Sequence, residues 1–287
     1  MLKQRVLSAI VLIAIVFSAL FWFSPFYFAL ALGVVTTLGV WEWTQFARIK
    51  NGFWRLLIAG LAGAFLFLLI FGEADYLNVG RVFEGYAQPV LLASVIWWIV
   101  ALGFVVRYPH SAKLWGKSAL LQLVFAVLTL IPFLIGVLRL RLDGYNANPY
   151  HGVMLLLYVF ILVWAADSGA YFAGRKFGKH KLAPKVSPGK TWQGVIGGLI
   201  TAVVLAALFI QIAPNNLFTV STAPFVLLSL CTVAISVLGD LTESMFKRES
   251  GIKDSSNLIP GHGGILDRID SLTAAVPFFA YFYFYVL

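Results

Sequence analysis

Met1–Phe23 reads "MLKQRVLSAIVLIAIVFSALFWF". Two basic residues, Lys3 and Arg5, precede an apolar run that ends in aromatics. That order resembles a secretory signal, but the run is long and has no small-residue cleavage site. We expect a retained first helix that also directs insertion. An apolar run of about 20 residues without strict alternation suits a membrane-crossing helix, not a barrel strand.

Similar runs recur along the chain. Of its 287 residues, 61% are hydrophobic and 11% charged, with a mean hydropathy of +0.90. A soluble domain usually carries about 25% charged residues. Inside a bilayer, backbone polar groups must be satisfied without water, which leaves helices or a closed barrel. The expected fold class is therefore all-α: a polytopic integral membrane protein with about nine transmembrane helices. The apolar segments are 6–23, 25–41, 53–72, 87–106, 118–138, 152–172, 192–213, 223–239 and 271–287. The first two, joined at Ser24 and Pro25, are expected to form a tight helical hairpin. The second and eighth are short for a hydrocarbon core of about 30 Å. There is no repeat of fixed period and no low-complexity linker. We divide the chain into an N-terminal group of about five helices, 1–150, and a C-terminal catalytic region, 151–287. Cys231, the only cysteine, excludes an internal disulfide and reads as a small buried hydrophobe.

Charge sets the expected orientation, because cytoplasmic loops are rich in Lys and Arg. With the N-terminus inside, nine crossings leave 42–56, 107–117, 173–191 and 240–270 inside and the C-terminus outside. All of the 21 Lys and Arg residues except Arg81, Arg139 and Arg141 then fall on the inner side. The outer loops carry those three with Glu73, Asp75, Glu84 and Asp143. The net charge of +9 lies mainly on one face. Positive-inside topology alone explains such a bias; attraction to anionic headgroups and phosphorylated ligands adds to it.

Two inner segments are polar islands. The first, Trp164–Gly194, is "WAADSGAYFAGRKFGKHKLAPKVSPGKTWQG". Asp167 lies near the inner end of the sixth helix, where an acid is costly and marks a functional site by default. Its plain alternative is a helix-end carboxylate reaching interfacial water. Arg175, Lys176, Lys179, His180, Lys181, Lys185 and Lys190 follow without an acid, a cluster suited to phosphates. Ser187, Gly189 and Thr191 of "SPGKT" are expected to form a turn with free N–H groups at a helix N-terminus, where an anion binds. This is not a P-loop: the upstream Gly is missing and no strand precedes it.

The second island joins "VLGDLTE" to Ser244–Asp270, "SMFKRESGIKDSSNLIPGHGGILDRID". Asp240 ends the eighth helix; Glu243, Ser244 and Lys247 share its face if the helix continues. Asp267 and Asp270 stand at i and i+3 near the start of the last helix, a placement the helix dipole alone favours. Taken together, Asp240, Asp254, Asp267 and Asp270 offer oxygen ligands suited to Mg²⁺, with substrate phosphates completing the shell. Lys247, Arg248, Lys253 and Arg268 are placed to grip those phosphates. Carboxylate-held metal plus cation clamps is the equipment of phosphoryl or nucleotidyl transfer. His262 reads as an acid, a phosphate donor or a turn residue. Zinc is excluded by ligand spacing, a hydrolase elbow is missing, and the basic loop lacks the aromatic interleaving of a nucleic-acid binder.

Ser244-x-x-Lys247-Arg248, Lys253-Asp254, Pro260-x-His262-Gly263-Gly264 and Asp267-Arg268-Ile269-Asp270 resemble, in order and spacing, the signature of the phosphatidate cytidylyltransferase (CDP-diacylglycerol synthase) family. The first island resembles that family's second well-marked region. The likeness covers roughly the C-terminal half; the N-terminal half matches only in being hydrophobic and helical. After Lys190-Thr191-Trp192, where many members carry an acid, this chain has Gln193, which is given no metal role. The resemblance implies an integral membrane enzyme that joins CTP to phosphatidic acid with Mg²⁺, forming CDP-diacylglycerol and pyrophosphate. It implies a site at the cytoplasmic face of a bacterial inner membrane, among membrane lipids. Asp240 and Asp267 would hold the metal, with Asp167, Asp254 and Asp270 as further candidates. Lys247, Arg248, Lys253 and Arg268 would neutralise phosphate, and Ser187, Lys190 and Thr191 would add phosphate or nucleotide contacts. His262 need not be a base, since a phosphate nucleophile is already ionised. A homodimer is compatible with the sequence. Competing readings are another CTP-using lipid transferase or kinase, a transporter of a phosphorylated solute, and a structural lipid-binding protein.

Overall fold

The structure is a computed structural model that describes residues 2–71, 79–213 and 220–287. Glu73 and Asp75 lie outside the described residues, as do the side chains of Lys3, Arg5, Arg81 and Glu84. Its helices are α1 (Leu2–Trp22), α2 (Pro25–Phe46), α3 (Gly52–Phe71), α4 (Val79–Val106), α5 (Ala112–Trp115), α6 (Ala119–Arg141), α7 (His151–Phe177), α8 (Trp192–Ile212), α9 (Thr222–Ser250) and α10 (Leu266–Tyr285). Between α7 and α8 stand two short strands, β1 (Lys181–Ala183) and β2 (Ser187–Thr191). Among the described residues, seven helices are long and apolar enough to cross a membrane: α2, α3, α4, α6, α7, α8 and α9. The chain is a helical integral membrane protein. α10 is less apolar because Asp267, Arg268 and Asp270 occupy its first turns and tyrosines its last.

Four expectations change. First, α9 does not end at Asp240 but runs on to Ser250. Leu241, Met245 and Phe246 bury one face there while Asp240, Ser244 and Lys247 take another, so an amphipathic helix continues where polar composition suggested a loop. It stops at Gly251, whose φ of +73° closes the end with N–H bonds from Gly251 to Arg248 O and from Ile252 to Lys247 O. Second, 173–191 is not an irregular loop. α7 continues to Phe177, and β1 pairs antiparallel with β2, setting Lys181 opposite Thr191 and Ala183 opposite Ser187. "SPGKT" is thus extended strand, not an anion-cradling turn, and the fold is all-α apart from this hairpin. Third, the link at Ser24 is short, with Ser24 capping α2, yet α1 packs little on α2. It is no zipped hairpin: the apolar residues of α1, Val6, Leu7, Ile10, Val11 and Ile13 among them, stay exposed. Fourth, Cys231 is exposed. In a membrane protein an apolar side chain can face lipid as readily as the core.

α7 and α8 touch through small residues. A Cβ on Gly169 would stand 2.1 Å from Thr201 Oγ1, and one on Gly197 2.3 Å from the Ala173 Cβ. Such seams bring helix backbones together without a hydrophobic driving force. The larger buried cluster takes residues from both sides of position 150, including Leu20, Phe28, Leu134, Val159, Leu272 and Phe279.

A second cluster is aromatic and supports the polar end of α9. Phe246 meets Trp43 at 5.4 Å, Trp115 at 5.1 Å, Phe125 at 5.9 Å and Phe46 at 6.1 Å between ring centres. It therefore ties α9 to α2, α5 and α6 one residue away from Lys247. At this same end, Arg48 pairs with Glu249 at 2.9 Å and Ser250 donates to Phe46 O at 3.3 Å. At the opposite end, Arg141 donates to Leu20 O at 3.0 Å, and Asp143 bridges Arg139 and His151, each at 3.2 Å. The segments grouped together by charge thus meet in space. Phe246→Ala should cost about 3–5 kcal/mol by cavity formation; denaturant-titrated unfolding of the purified protein measures it, and a loss below about 1 kcal/mol contradicts this packing.

Candidate active site

Three groups of polar side chains gather where α7, β2, α9 and α10 meet. The first is a set of acids facing two lysines. Asp240 Oδ2 lies 2.7 Å from Lys190 Nζ, so β2 delivers its cation to α9. Asp240 Oδ1 accepts from Ser244 Oγ at 3.2 Å, one turn on. The Asp167 carboxylate, on α7, faces Lys190, Asp240 and Ser271. Asp270 accepts from its neighbour's N–H, that of Ser271, at 2.8 Å and faces Asp240 and Glu243. Glu243 is buried, and its two carboxylate oxygens face Lys247 and Asp270. Lys247 Nζ stands 3.5 Å from one of them, and the Asp270 carboxyl lies alongside.

The second group centres on Asp267. Its Oδ1 lies 2.7 Å from Lys247 Nζ. Its Oδ2 accepts from Ser255 N and Gly264 N at 2.8 Å and from Ser255 Oγ at 2.9 Å. Lys247 thus spans the two groups. The third group lines an open cavity of about 470 Å³ formed by Lys253, Asp254, Asn257, His262, Arg268 and the glycine turn. Gly261 and Gly263 hold φ of +76° and +81°, a left-handed backbone that L side chains rarely adopt. His262 Nδ1 lies 2.8 Å from Ser8 Oγ, which brings α1 to the rim of this cavity.

The sequence-predicted residues divide accordingly. Asp167, Asp240, Asp270, Lys190 and Lys247 come together; Lys253, Asp254, His262 and Arg268 share the cavity. Arg248 is exposed and donates through Nε to Val186 O at 3.3 Å, which fastens the hairpin to α9. Thr191 is buried, caps α8 by accepting from Gly194 N at 3.1 Å, and is not presented to a ligand. Ser187 pairs within the strands. Gln193 accepts from Lys179 N and His180 N at 3.1 and 3.2 Å, so it closes the base of the hairpin.

Three residues escaped the sequence reading. Glu243 shares the helical face of Asp240, and an acid at i+3 from another acid near a membrane is itself a signal. Glu42 and Ser255 carried no signal beyond one lone acid between two tryptophans, because their partners are distant in sequence.

Among the described residues no three His, Cys, Asp or Glu side chains stand in metal-ligating arrangement. A cation held by one or two protein carboxylates needs no such group, because substrate oxygens complete its shell, as they do for Mg²⁺. The Glu243, Asp270 and Asp240 carboxylates supply hard oxygen donors with too little positive charge beside them, a donor chemistry that fits such an ion.

Fold and site define a class: a helical membrane protein with an acid-and-lysine centre and a basic cavity at one end of its bundle. The chain belongs to the cytidylyltransferase family, whose defining pattern matches residues 3–286. It is 68% identical over 288 residues to a Haemophilus influenzae protein named phosphatidate cytidylyltransferase, covering 100% of both chains. A Pseudomonas aeruginosa protein of the same name is 42% identical, with 98% of this chain and 96% of the relative covered. A Bacillus subtilis protein so named is 32% identical, with 96% of each covered.

Lys247 is mostly buried between Asp267 and Glu243. Removing one partner of a buried ion pair costs about 3–5 kcal/mol because the other charge is left uncompensated. Lys247→Met should lose stability on that scale, while Asp267→Asn/Lys247→Met should recover part of it; thermal unfolding of both variants tests the coupling.

Proposed function

We propose that this protein joins CTP to phosphatidic acid, forming CDP-diacylglycerol and pyrophosphate at the cytoplasmic face of a bacterial inner membrane. The observation that carries this reading is full-length identity of 68% to a relative named phosphatidate cytidylyltransferase. The geometry supports it. Both substrates are polyanions, and the acids and cations lie together at one end of the bundle, where a lipid phosphate and a soluble nucleotide can meet. Nine long helices among the described residues, together with the charge bias, support nine crossings with the N-terminus inside and the C-terminus outside.

A phosphatidate phosphate oxygen attacks the α-phosphorus of CTP. A new P–O bond forms, the bond from the α-phosphorus to the bridging oxygen breaks, and pyrophosphate leaves with that electron pair. The nucleophile is already ionised near neutral pH, so the protein's task is positioning and charge neutralisation. Lys253 and Arg268, in the cavity, are the residues for the triphosphate; Lys190 and Lys247 offset the charge of the acids and of an arriving phosphate. One or two of the carboxylates of Asp240, Asp270, Asp167, Glu243 and Asp267 would hold Mg²⁺, Asp267 by exchanging Lys247 for the ion, with substrate oxygens completing the shell. Bound there, the ion supplies charge stabilisation to the phosphate oxygens. His262, through its contact with Ser8, ties the glycine turn to α1.

Purified protein supplied with labelled CTP and phosphatidic acid should yield labelled CDP-lipid and pyrophosphate, and turnover should need Mg²⁺. Labelled CDP or a phosphorylated lipid instead would point to a kinase. Asp267→Asn should lower kcat by at least about 100-fold, as loss of a charge-stabilising group does, while the protein stays folded in membranes. Retained activity in that variant would sink the role given to Asp267.

A further inference from the structure

Val40–Phe46 reads "VWEWTQF", and its acid, Glu42, is fully buried within α2. A buried carboxylate without compensation is costly. Glu42 is compensated by donors from the far end of the chain. Its Oε1 accepts from Ser256 Oγ at 2.6 Å and Ile265 N at 2.9 Å. Its Oε2 accepts from Ser255 Oγ at 3.0 Å and Leu266 N at 2.7 Å. Ile265 and Leu266 open α10, where the first N–H groups of a helix lack partners of their own. No local side chain caps this end: the N-cap position is Ile265. Glu42 caps α10 from another helix and places its charge at the positive end of the helix dipole.

The same contacts bear on Asp267. Ser255 Oγ lies between Glu42 Oε2 and Asp267 Oδ2, and its single O–H serves one of them at a time. Gly264 N and Ser255 N, the backbone donors to Asp267, belong to the segment that Glu42 pins. The packing leaves no slack there. A Cβ on Gly264 would stand 2.0 Å from Ser255 Oγ and 2.4 Å from Glu42 Oε1. Gln45, one turn along α2, donates to Ser255 O and adds a second tie to the segment.

We infer that Glu42 is a positioning residue: from the N-terminal half of the chain it sets the place of Asp267 by capping α10 and clamping Ser255. The claim that this matters for turnover rests on the function proposed above. Four donors converge on two oxygens, so only a carboxylate serves them all. In Glu42→Gln an NH₂ group replaces one oxygen and faces two donors, a nearly isosteric change that removes acceptance without removing volume.

The test uses the full chain in lipid nanodiscs, as Glu42→Gln, Ser255→Ala and the double variant, with two readouts. Amide hydrogen exchange should speed up in the segment spanning 255–270 of Glu42→Gln and stay unchanged in the other helices. Its kcat per folded molecule should fall roughly 10- to 100-fold, the scale set by small misplacements of reacting groups, with KM for CTP near wild type. The double variant should be no slower than the worse single variant. Unchanged exchange, unchanged kcat per folded molecule, a change confined to KM, or multiplicative loss in the double variant each overturns the inference. If Glu42→Gln yields no folded protein, Ser256→Ala removes one donor and is read by the same two criteria, smaller in size. Should the wild-type chain make no CDP-lipid, the proposed function fails, and the exchange data alone decide whether Glu42 holds this segment.

Discussion

Lys247 Nζ sits 2.7 Å from Asp267 Oδ1, and this contact joins α9 to α10 at the end of the bundle that carries the site. In so apolar a chain a charge cannot be left alone: its desolvation exceeds what one weak contact returns, so acids and lysines must be brought together. Lys190 with Asp240 does the same for β2 and α9. Each ion pair joins elements that apolar packing alone would let slide. The aromatic cluster around Phe246 then fixes the height and rotation of Lys247, so the hydrophobic and ionic parts of the structure specify the same arrangement. What the pairs do not neutralise lies chiefly around Glu243 and Asp270, two buried acids that share Lys247.

Much of this was legible in sequence because a bilayer enforces simple rules. Long apolar runs identified the helices, and the bias of Lys and Arg grouped the ends that meet in space. The spacing of Asp240, Lys247 and Asp267 singles out side chains that the structure pairs, Lys247 with Asp267 and Asp240 with Lys190. Two of the differences share a cause: polar composition reads as loop, whereas α9 runs on to Ser250 and β1 pairs with β2. Asp240–Ser250 stays helical because Leu241, Met245 and Phe246 keep one face buried. "SPGKT" has the residues of a turn, but pairing with Lys181–Ala183 draws it into a strand. Glu42 was beyond reach for another reason. Its meaning lies in the N–H groups of Ile265 and Leu266, and no local pattern announces a partner so distant in sequence.

The N-terminal half, which in sequence looks like hydrophobic bulk, reaches the site at several points. Ser8 touches His262, Glu42 caps α10, and Arg48 pairs with Glu249. Helices that seem only to anchor the chain therefore also shape the segment between α9 and α10. The glycines there serve the same end: Gly264 lets Glu42 and Ser255 approach, and Gly251 turns the chain back from α9.

α9 has 29 residues and at 1.5 Å per residue spans about 44 Å, whereas the hydrocarbon layer is about 30 Å thick. The surplus stands as a post carrying Lys247 and Arg248. Its length is fixed by covalent geometry, while lipid headgroups rise or sink with the thickness of the membrane around it. The overhang thereby sets the height of Lys247 above the hydrocarbon layer by backbone geometry, and the rings around Phe246 brace it there.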